Sequence, residues 1–449
     1  MKLIYERTPS TERAMLVDGE RLLEVEERFV DQLSVGTIVE AAIERIHPSL
    51  GAAFLTDGET TYFLPIAETL RALASYPEVP AIGQAAVVGE KRLVQVTKEG
   101  INGKHHKVTE NIRFGGRYLV YFPFGRRQLF SRKLDLVTQD RLSKALDLTE
   151  EEGVLFRTEA GQVAPEALQE ELNRLRNRSI VVIEQRFGQD ELLCEQFVRR
   201  HAVESVLLND KEGQTRLERL DVPVKRHIGK GRMPEAKRLD GAIEKLESRA
   251  VWLDGGAFVL IEQVETMTVI DVNSGKNVAV KDKGRAADTI NEAALYSIME
   301  QLRLRNIGGM VIIDFLRGSK EGQTRLLKKM KELGARDPRR VEVYGFTRMG
   351  LFELSRERTG RSIQDRMFHA GKPSKLAIFS QFERSLLDLN DQYEAVVLSL
   401  PNKWHDASWH GFDIEVHLVE GEPAPNCRVQ CIGCGAMSFK GGVCYENQN

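Results

Sequence analysis

The stretch MTVIDVNSGK, residues 267–276, decides how the centre of this chain folds. An apolar run ends on Asp271 and is followed by an amide, a hydroxyl, a glycine and an ammonium. Forty-three residues on, MVIIDFLRG (310–318) repeats the opening, an apolar run closing on Asp314. Between them AADTINEAALYSIMEQLRLRNIGG carries Ile290, Ala294, Ile298 and Leu302 at four-residue spacing, the period of a helix with one apolar face, and Gly308-Gly309 follow its end. Strand, helix, strand is a crossover unit, and crossovers join parallel strands of one sheet. Parallel strands end at the same edge, so Asp271 and Asp314 are expected side by side at the carboxyl edge, where open α/β sheets hold ligands.

One aspartate at a strand end is most simply a turn former. Two at the ends of crossover strands point to a site. Neighbouring carboxylates repel, and a hard divalent cation removes the conflict. Oxygen-only ligation without nearby His or Cys favours Mg²⁺ or Mn²⁺ over Zn²⁺, with water and a substrate phosphate completing the shell. Such a site suits hydrolysis of a phosphodiester. Asn273 can then hydrogen-bond the scissile phosphate, and Lys276 can offset its charge.

The chain around this unit has 449 residues, 64 Lys and Arg against 66 Asp and Glu, and a formal net charge of -2. Global charge therefore predicts no polyanion partner, and any such site must be a local patch. The sequence shows neither a spanning apolar run nor the apolar centre of a signal peptide, which leads to the expectation of a cytoplasmic protein without a membrane segment. Of five cysteines, Cys194 stands alone, while Cys427, Cys431, Cys434 and Cys444 crowd NCRVQCIGCGAMSFKGGVC. A C-x-x-C pair among these is a candidate half of a zinc site, against the alternative of unliganded thiols.

Towards the N-terminus, RAMLV and RLLEVEE flank Asp18-Gly19 as a hairpin. From Gly36, short strands punctuated by Gly, Pro and Asp read as a small all-β module. Its Phe54 and Phe63 are core residues on one reading and a stacking platform for single strands on the other. Lys104 to Lys133 holds eight Lys or Arg against the single acid Glu110, interleaved with Phe114, Tyr118, Tyr121, Phe122, Phe124 and Phe130. This is the local basic patch. PEALQEELNRLRNR then reads as a helix, SIVVIEQ as a strand, ELLCEQFVRRHA as a helix and VESVLLND as a strand. Residues 216–237 lack the spacing of a Walker loop and read as a surface loop. AVWLDGGAFVLIEQ reads as a hairpin turned at Asp254-Gly255-Gly256. Residues after Lys372 read as a small α/β appendage.

Three segments, TVIDVNSGK, EAALYSIMEQLRLRNIGGMVIIDFLRG and TRMGLFELSRER, resemble the catalytic core of the ribonuclease E/G family of bacterial single-strand endoribonucleases, and the likeness runs from near residue 1 to about Arg358. The resemblance implies an α/β multidomain chain. A ribonuclease H-like domain (1–34 and 181–246) holds an inserted OB-fold RNA-binding domain (35–110) and a 5′ sensor (111–180). A DNase I-like catalytic domain (247–370) and a small C-terminal domain (371–449) follow. It further implies that Asp271 and Asp314 bind Mg²⁺ and that Asn273 positions the scissile phosphate. Phe54, Phe63 and Lys104 would clamp single-stranded RNA. Gly116, Val120, Arg157, Thr158 and Arg340 would form a pocket preferring a 5′ monophosphate. The implied function is Mg²⁺-dependent endoribonuclease action in RNA processing or decay, and the competing class is a non-catalytic OB-fold RNA-binding protein. The family's usual C-P-x-C-type pair, through which two chains share a zinc, has no counterpart in RERTGRSIQDRMFHAGKPSKLA, so a homo-oligomer joined in that way is not expected.

Overall fold

Alternation in the first thirty residues builds three antiparallel strands, β1 (Lys2–Arg7), β2 (Thr11–Asp18) and β3 (Arg21–Phe29), with Gly19 at φ 59° in the predicted hairpin turn. The computed structural model describes residues 1–30, 33–75, 81–100, 104–185, 187–188, 191–220, 222–229, 231–275, 283–358, 360–369, 372–389, 395–400, 415–420, 428–431, 435–440 and 443–446. The chain divides into two units, one of residues 1–32 with 193–449 and one of residues 33–192.

The second unit opens with five strands: β4 (Ile38–His47), β5 (Ala52–Thr56), β6 (Thr61–Pro65), β7 (Lys91–Lys98) and β8 (His106–Thr109). They hydrogen-bond in the order β4-β5-β6-β8-β7 with β7 returning to β4, a closed barrel that leaves no free edge. Val39, Ala41, Ile43, Ala53, Leu55, Tyr62, Leu64, Val94, Val96 and Val108 fill it. Next come β9 (Phe114–Gly115), β10 (Leu119–Phe122), β11 (Gln128–Phe130) and β12 (Gly153–Phe156), a four-stranded sheet packed on the helix Pro165–Gln185.

That helix corrects two expectations. The β-branched run of SIVVIEQ predicts a strand, yet it continues the helix to Gln185, past the expected boundary at residue 180. The core-facing series Leu168, Leu172, Leu175 and Ser179 reaches Val182 and Ile183 at helical spacing, while Ile180 and Val181 point to solvent. Tertiary packing on one stripe overrides a β preference of this size. A two-residue strand, β13 (Phe187–Gly188), pairs with β4.

In the first unit β14 (Ser205–Leu208) joins β1 in parallel, and β15 (Val224–Arg226) joins β14. Part of the segment read as a surface loop, 216–237, is thus an edge strand, and Pro234 already starts a helix. The carboxyl-terminal half is built on a six-stranded sheet: β16 (Ala250–Trp252), β17 (Phe258–Gln263), β18 (Met267–Asn273), β19 (Gly309–Asp314), β20 (Val341–Phe346) and β21 (Phe352–Arg356), in the order β16-β17-β18-β19-β21-β20. The helices Lys283–Leu304 and Lys320–Arg336 cover one face. Ile270, Val272, Val311 and Ile313 meet Ala294, Ile298, Leu302, Leu326 and Met330 there. Asn306 takes the left-handed conformation at φ 54° and ends the first helix in a Schellman motif, with Ile307 N–H donating to Leu302 O at 2.9 Å. In the appendage the helix Lys375–Leu389 precedes a five-stranded sheet.

Candidate functional site

β18 and β19 pair in parallel, and in their register Asp271 stands directly opposite Asp314. Adjacent strands lie about 4.8 Å apart and in-register side chains share a face, so the two carboxylates point the same way from neighbouring backbones. Both are exposed, because residues alternating with them, Ile270, Val272 and Ile313, face the helices. Asn273 donates its Nδ2–H to Asp271 Oδ2 at 2.7 Å, fixing that carboxylate through a neutral group. Gly275, at φ 68°, lets the chain leave the strand against the β16–β17 turn, where a Cβ would strike Gly256 O. Lys276 lies outside the described residues.

Several residues that sequence reasoning passed over hold this edge. Asn291, buried in the crossover helix, donates to Leu316 O at 2.8 Å and accepts from Leu316 N at 2.9 Å, clamping the turn after Asp314. Asp288 accepts from Ser319 N and Oγ at 3.0 and 2.6 Å, anchoring the start of the next helix. Asp314, Asp288, Asn291, Arg317, Phe346 and Met349 line a cavity of about 320 Å³. In the ELSRER segment, Arg356 forks onto Asp337 with two bonds of 3.0 Å and donates to Ile307 O, while Arg358 donates to Gly308 O. These arginines secure the amino end of β19, away from the aspartates. Their signal was a family likeness without a role attached.

The donor set suits a hard divalent ion. Among the described residues no group of three or more His, Cys, Asp or Glu converges, and neither Asp271 nor Asp314 has an ion-pair partner there. Two carboxylates with open positions leave the remaining shell to water and phosphate, the usual situation of Mg²⁺.

On the barrel, parity answers the question about the phenylalanines. Ala53, Leu55, Tyr62 and Leu64 point inward, so Phe54 and Phe63, a cross-strand pair, point outward. Their rings meet edge-on at 5.6 Å, and His105 abuts Phe54 at 5.4 Å. Phe54 is nevertheless only 8% exposed, because Arg45 lies over its ring at 4.3 Å. Lys104 is exposed beside His105. The structure thus brings Phe54 and Phe63 to one outer face together with Arg45 and His105, with Lys104 next to His105 in the chain.

In the neighbouring sheet, Val120 lies on β10, whose partner β12 ends at Phe156, immediately before Arg157. Arg157 N–H donates to Tyr118 O at 2.8 Å, and Thr158 Oγ1 lies 2.9 Å from Ser131 Oγ. Gly116 adjoins them through its bond to Leu119 O. Its lack of a side chain makes room for Glu171, whose carboxylate accepts from the backbone N–H of Arg117, Tyr118 and Leu119 at 2.6 to 2.9 Å. The interleaved aromatics are mainly structural: Phe114 and Tyr121 are core, whereas Arg113, Arg117, Arg126, Arg127, Arg132 and Lys133 are exposed. Arg340 belongs to the other unit, exposed and paired with Glu342, while adjacent Arg339 is buried and its guanidinium is pushed down to about 10 by that burial and by Arg356. Cys427 and Cys434 lie outside the described residues, and Cys431 and Cys444 fall on strands of the appendage. No described helix is long and apolar enough to cross a membrane.

Residues 114–359, more than half of the chain, match the family model described as Ribonuclease E/G family. The chain is 28% identical over 363 residues to Ribonuclease E of Synechocystis sp., an alignment covering 74% of this chain and 53% of that protein. Against Ribonuclease E of Buchnera aphidicola it is 28% identical over 388 residues, covering 80% and 43%. Against Ribonuclease G of Escherichia coli it is 27% identical over 397 residues, 81% of each chain. The chain spans about half the length of the ribonuclease E relatives it matches.

Proposed function

Since the chain belongs to the ribonuclease E/G family, we propose that it is an endoribonuclease that hydrolyses single-stranded RNA with Mg²⁺, preferring substrates with a 5′ monophosphate, in RNA processing or decay. The observation that carries this reading is the in-register pair Asp271 and Asp314 with Asn273 bonded to the first. What supports it is that the β18–β19 register sets the two exposed carboxylates side by side, with Asn291 and Asp288 holding the segment that follows Asp314.

Asp271 and Asp314 would hold Mg²⁺ or Mn²⁺, which when bound supplies a bound water of lowered pKa and positive charge for the phosphoryl oxygens. Asn273 keeps Asp271 oriented and offers an amide to the scissile phosphate. Water oxygen adds to phosphorus and the bond to the 3′ oxygen breaks, leaving a 5′ phosphate on one fragment and a 3′ hydroxyl on the other. The barrel, read as an OB-fold, presents Phe54, Phe63 and Lys104 for single-strand contact, and stacking there is worth about 1 to 3 kcal/mol per base. The β9–β12 sheet is read as the 5′ sensor, with Val120, Arg157 and Thr158 gathered about one turn beside Gly116, and with Arg340 assigned to it on resemblance alone. The flanking units are read as ribonuclease H-like and DNase I-like, and the C-terminal cysteines as a zinc ligand set.

A cleavage assay on a single-stranded oligonucleotide tests the reading. Cleavage in Mg²⁺, its loss in EDTA and a faster rate with 5′ monophosphate than with 5′ triphosphate are expected. Arg157→Ala should slow the monophosphorylated substrate about tenfold, the worth of one charge-assisted hydrogen bond, and spare the triphosphorylated one. Equal slowing of both would make Arg157 structural.

A further inference from the structure

The sheet face opposite the helices carries a row of side chains that the proposed chemistry has not used. Cross-strand partners share a face, and the register runs Trp252 to Phe258 on β16 and β17, then Phe258 to Asn273 on β17 and β18. The next row runs Leu260, Asp271, Asp314. Trp252 is 70% exposed, and its ring meets Phe258 at 5.0 Å and 50°. The pair stands one strand from Asn273 for Phe258 and two for Trp252, about 5 and 10 Å at ordinary strand spacing. The hairpin that bears both is seated against the exit of the site, since Gly256 O fills the space beside Gly275.

We propose that Trp252 and Phe258 form a stacking subsite for a base of single-stranded RNA next to the scissile phosphate, a proposal that rests on the function assigned above. Every base has an apolar face, and aromatic side chains bind it without regard to sequence. Trp252 on an edge strand offers one whole ring face, and Phe258 backs it and fixes its angle. A second copy of this chain is the weaker occupant. The same face carries Asp271, Asp314 and Glu353 in adjacent rows, so two copies pressed together would set carboxylates against carboxylates, whereas a cation at Asp271 and Asp314 would offset their charge towards a phosphate.

The test compares wild type, Trp252→Ala and Trp252→Phe on an oligonucleotide with one cleavage site and on the same strand with an abasic spacer replacing the base on either side of that site. Trp252→Ala should lower kcat/KM and weaken binding, followed by anisotropy in EDTA, about 5- to 100-fold, the range of one stacked base. Trp252→Phe should recover most of this. An abasic spacer on one side should cost the wild type a similar factor and cost Trp252→Ala nothing further. Unchanged binding and cleavage by Trp252→Ala, or equal losses on intact and abasic strands, overturns the subsite, as does a Trp252-dependent dimer in sedimentation with no change in RNA affinity. If the wild type cleaves nothing in Mg²⁺, the assigned function fails, and the anisotropy comparison still decides the aromatic pair.

Discussion

Glu24, Glu26 and Glu27 sit on β3 among arginines, while Asp271 and Asp314 sit on β18 and β19 facing solvent and each other. Glu24 lies 3.3 Å from Arg200, Glu26 lies 3.0 Å from Arg366, and Glu27 lies 2.8 Å from both Arg13 and Arg384. Burial alone would raise these carboxyls, but Arg366, Arg200, Arg339 and Arg28 bring Glu26 down to about 2, and the neighbouring cations lower Glu24 and Glu27. The β3 acids have their counter-charges within the chain. The two aspartates have none among the described residues, and Asn273, which is neutral, is the group that touches Asp271. The β3 acids are thereby part of the architecture, and the exposed pair is the set to which the proposed function assigns a divalent cation.

The largest effect should come from the displayed set. Asp271→Asn and Asp314→Asn are each expected to lower kcat by about a thousandfold or more, the scale on which electrostatic stabilisation of a phosphoryl group acts. Stability should stay within about 0.5 kcal/mol, as for most exposed positions. Oligonucleotide affinity should change little. Unchanged cleavage would break the comparison at once, because the aspartates would then be turn formers.

The opposite pattern is expected inside. Arg232 is buried and forks onto Glu6 at 2.8 and 3.1 Å and onto Asp240 at 2.7 Å. Arg232→Met leaves Glu6 buried without its cation, and urea unfolding should register a loss of about 3 to 5 kcal/mol. Cleavage per folded molecule should be retained. A loss below about 1 kcal/mol would mean that water reaches Glu6 and that the buried lattice is not closed.

Acid separates the two sets again. Glu26 has a lowered folded-state pKa, so its contribution is complete above its unfolded value of about 4.5 and is lost as pH falls towards about 2. The loss from that group is on the order of 3 kcal/mol. Unfolding followed from pH 6 to pH 2 should therefore steepen below about pH 4.5, and Glu26→Gln should flatten that limb. A wild-type profile flat to pH 3 would contradict the pairing with Arg366.

Much of the candidate site was legible because its placement depends on periodicity and topology alone. Two apolar runs ending in Asp around a helical repeat force parallel strands and a shared edge, and the register delivered Asp271 opposite Asp314. What escaped has a physical reason in each case. SIVVIEQ has strand composition, and only packing on the β9–β12 sheet reveals that its apolar residues continue a helical stripe. Phe54 and Phe63 could not be told from core by type, since inward and outward positions differ only in parity around a barrel whose closure is long-range. Residues 104–133 read as a basic patch interleaved with aromatics, and composition does not separate its exposed arginines from Phe114 and Tyr121, which are core. Glu171, Asn291 and Trp252 carry no motif, because their partners are backbone amides or cross-strand neighbours far away in sequence.

Asn273 is where the comparison can be sharpened most finely, because its predicted effect is the smallest and its two roles leave different traces. Its amide now donates to Asp271 Oδ2 at 2.7 Å. If orientation of that carboxylate is its whole role, Asn273→Ala should raise the Mg²⁺ concentration at half-maximal rate about 10- to 100-fold, as loss of a ligand's hydrogen-bond partner does, with the rate restored at saturating metal. If the amide also turns to the scissile phosphate, kcat should stay about tenfold low at saturating Mg²⁺, because a donor aimed at developing charge is gone. Stability should not move in either case, since the residue is at an exposed edge. A rate and a metal dependence both equal to wild type would leave Asp271 and Asp314 as the whole of the receptor and return Asn273 to turn chemistry.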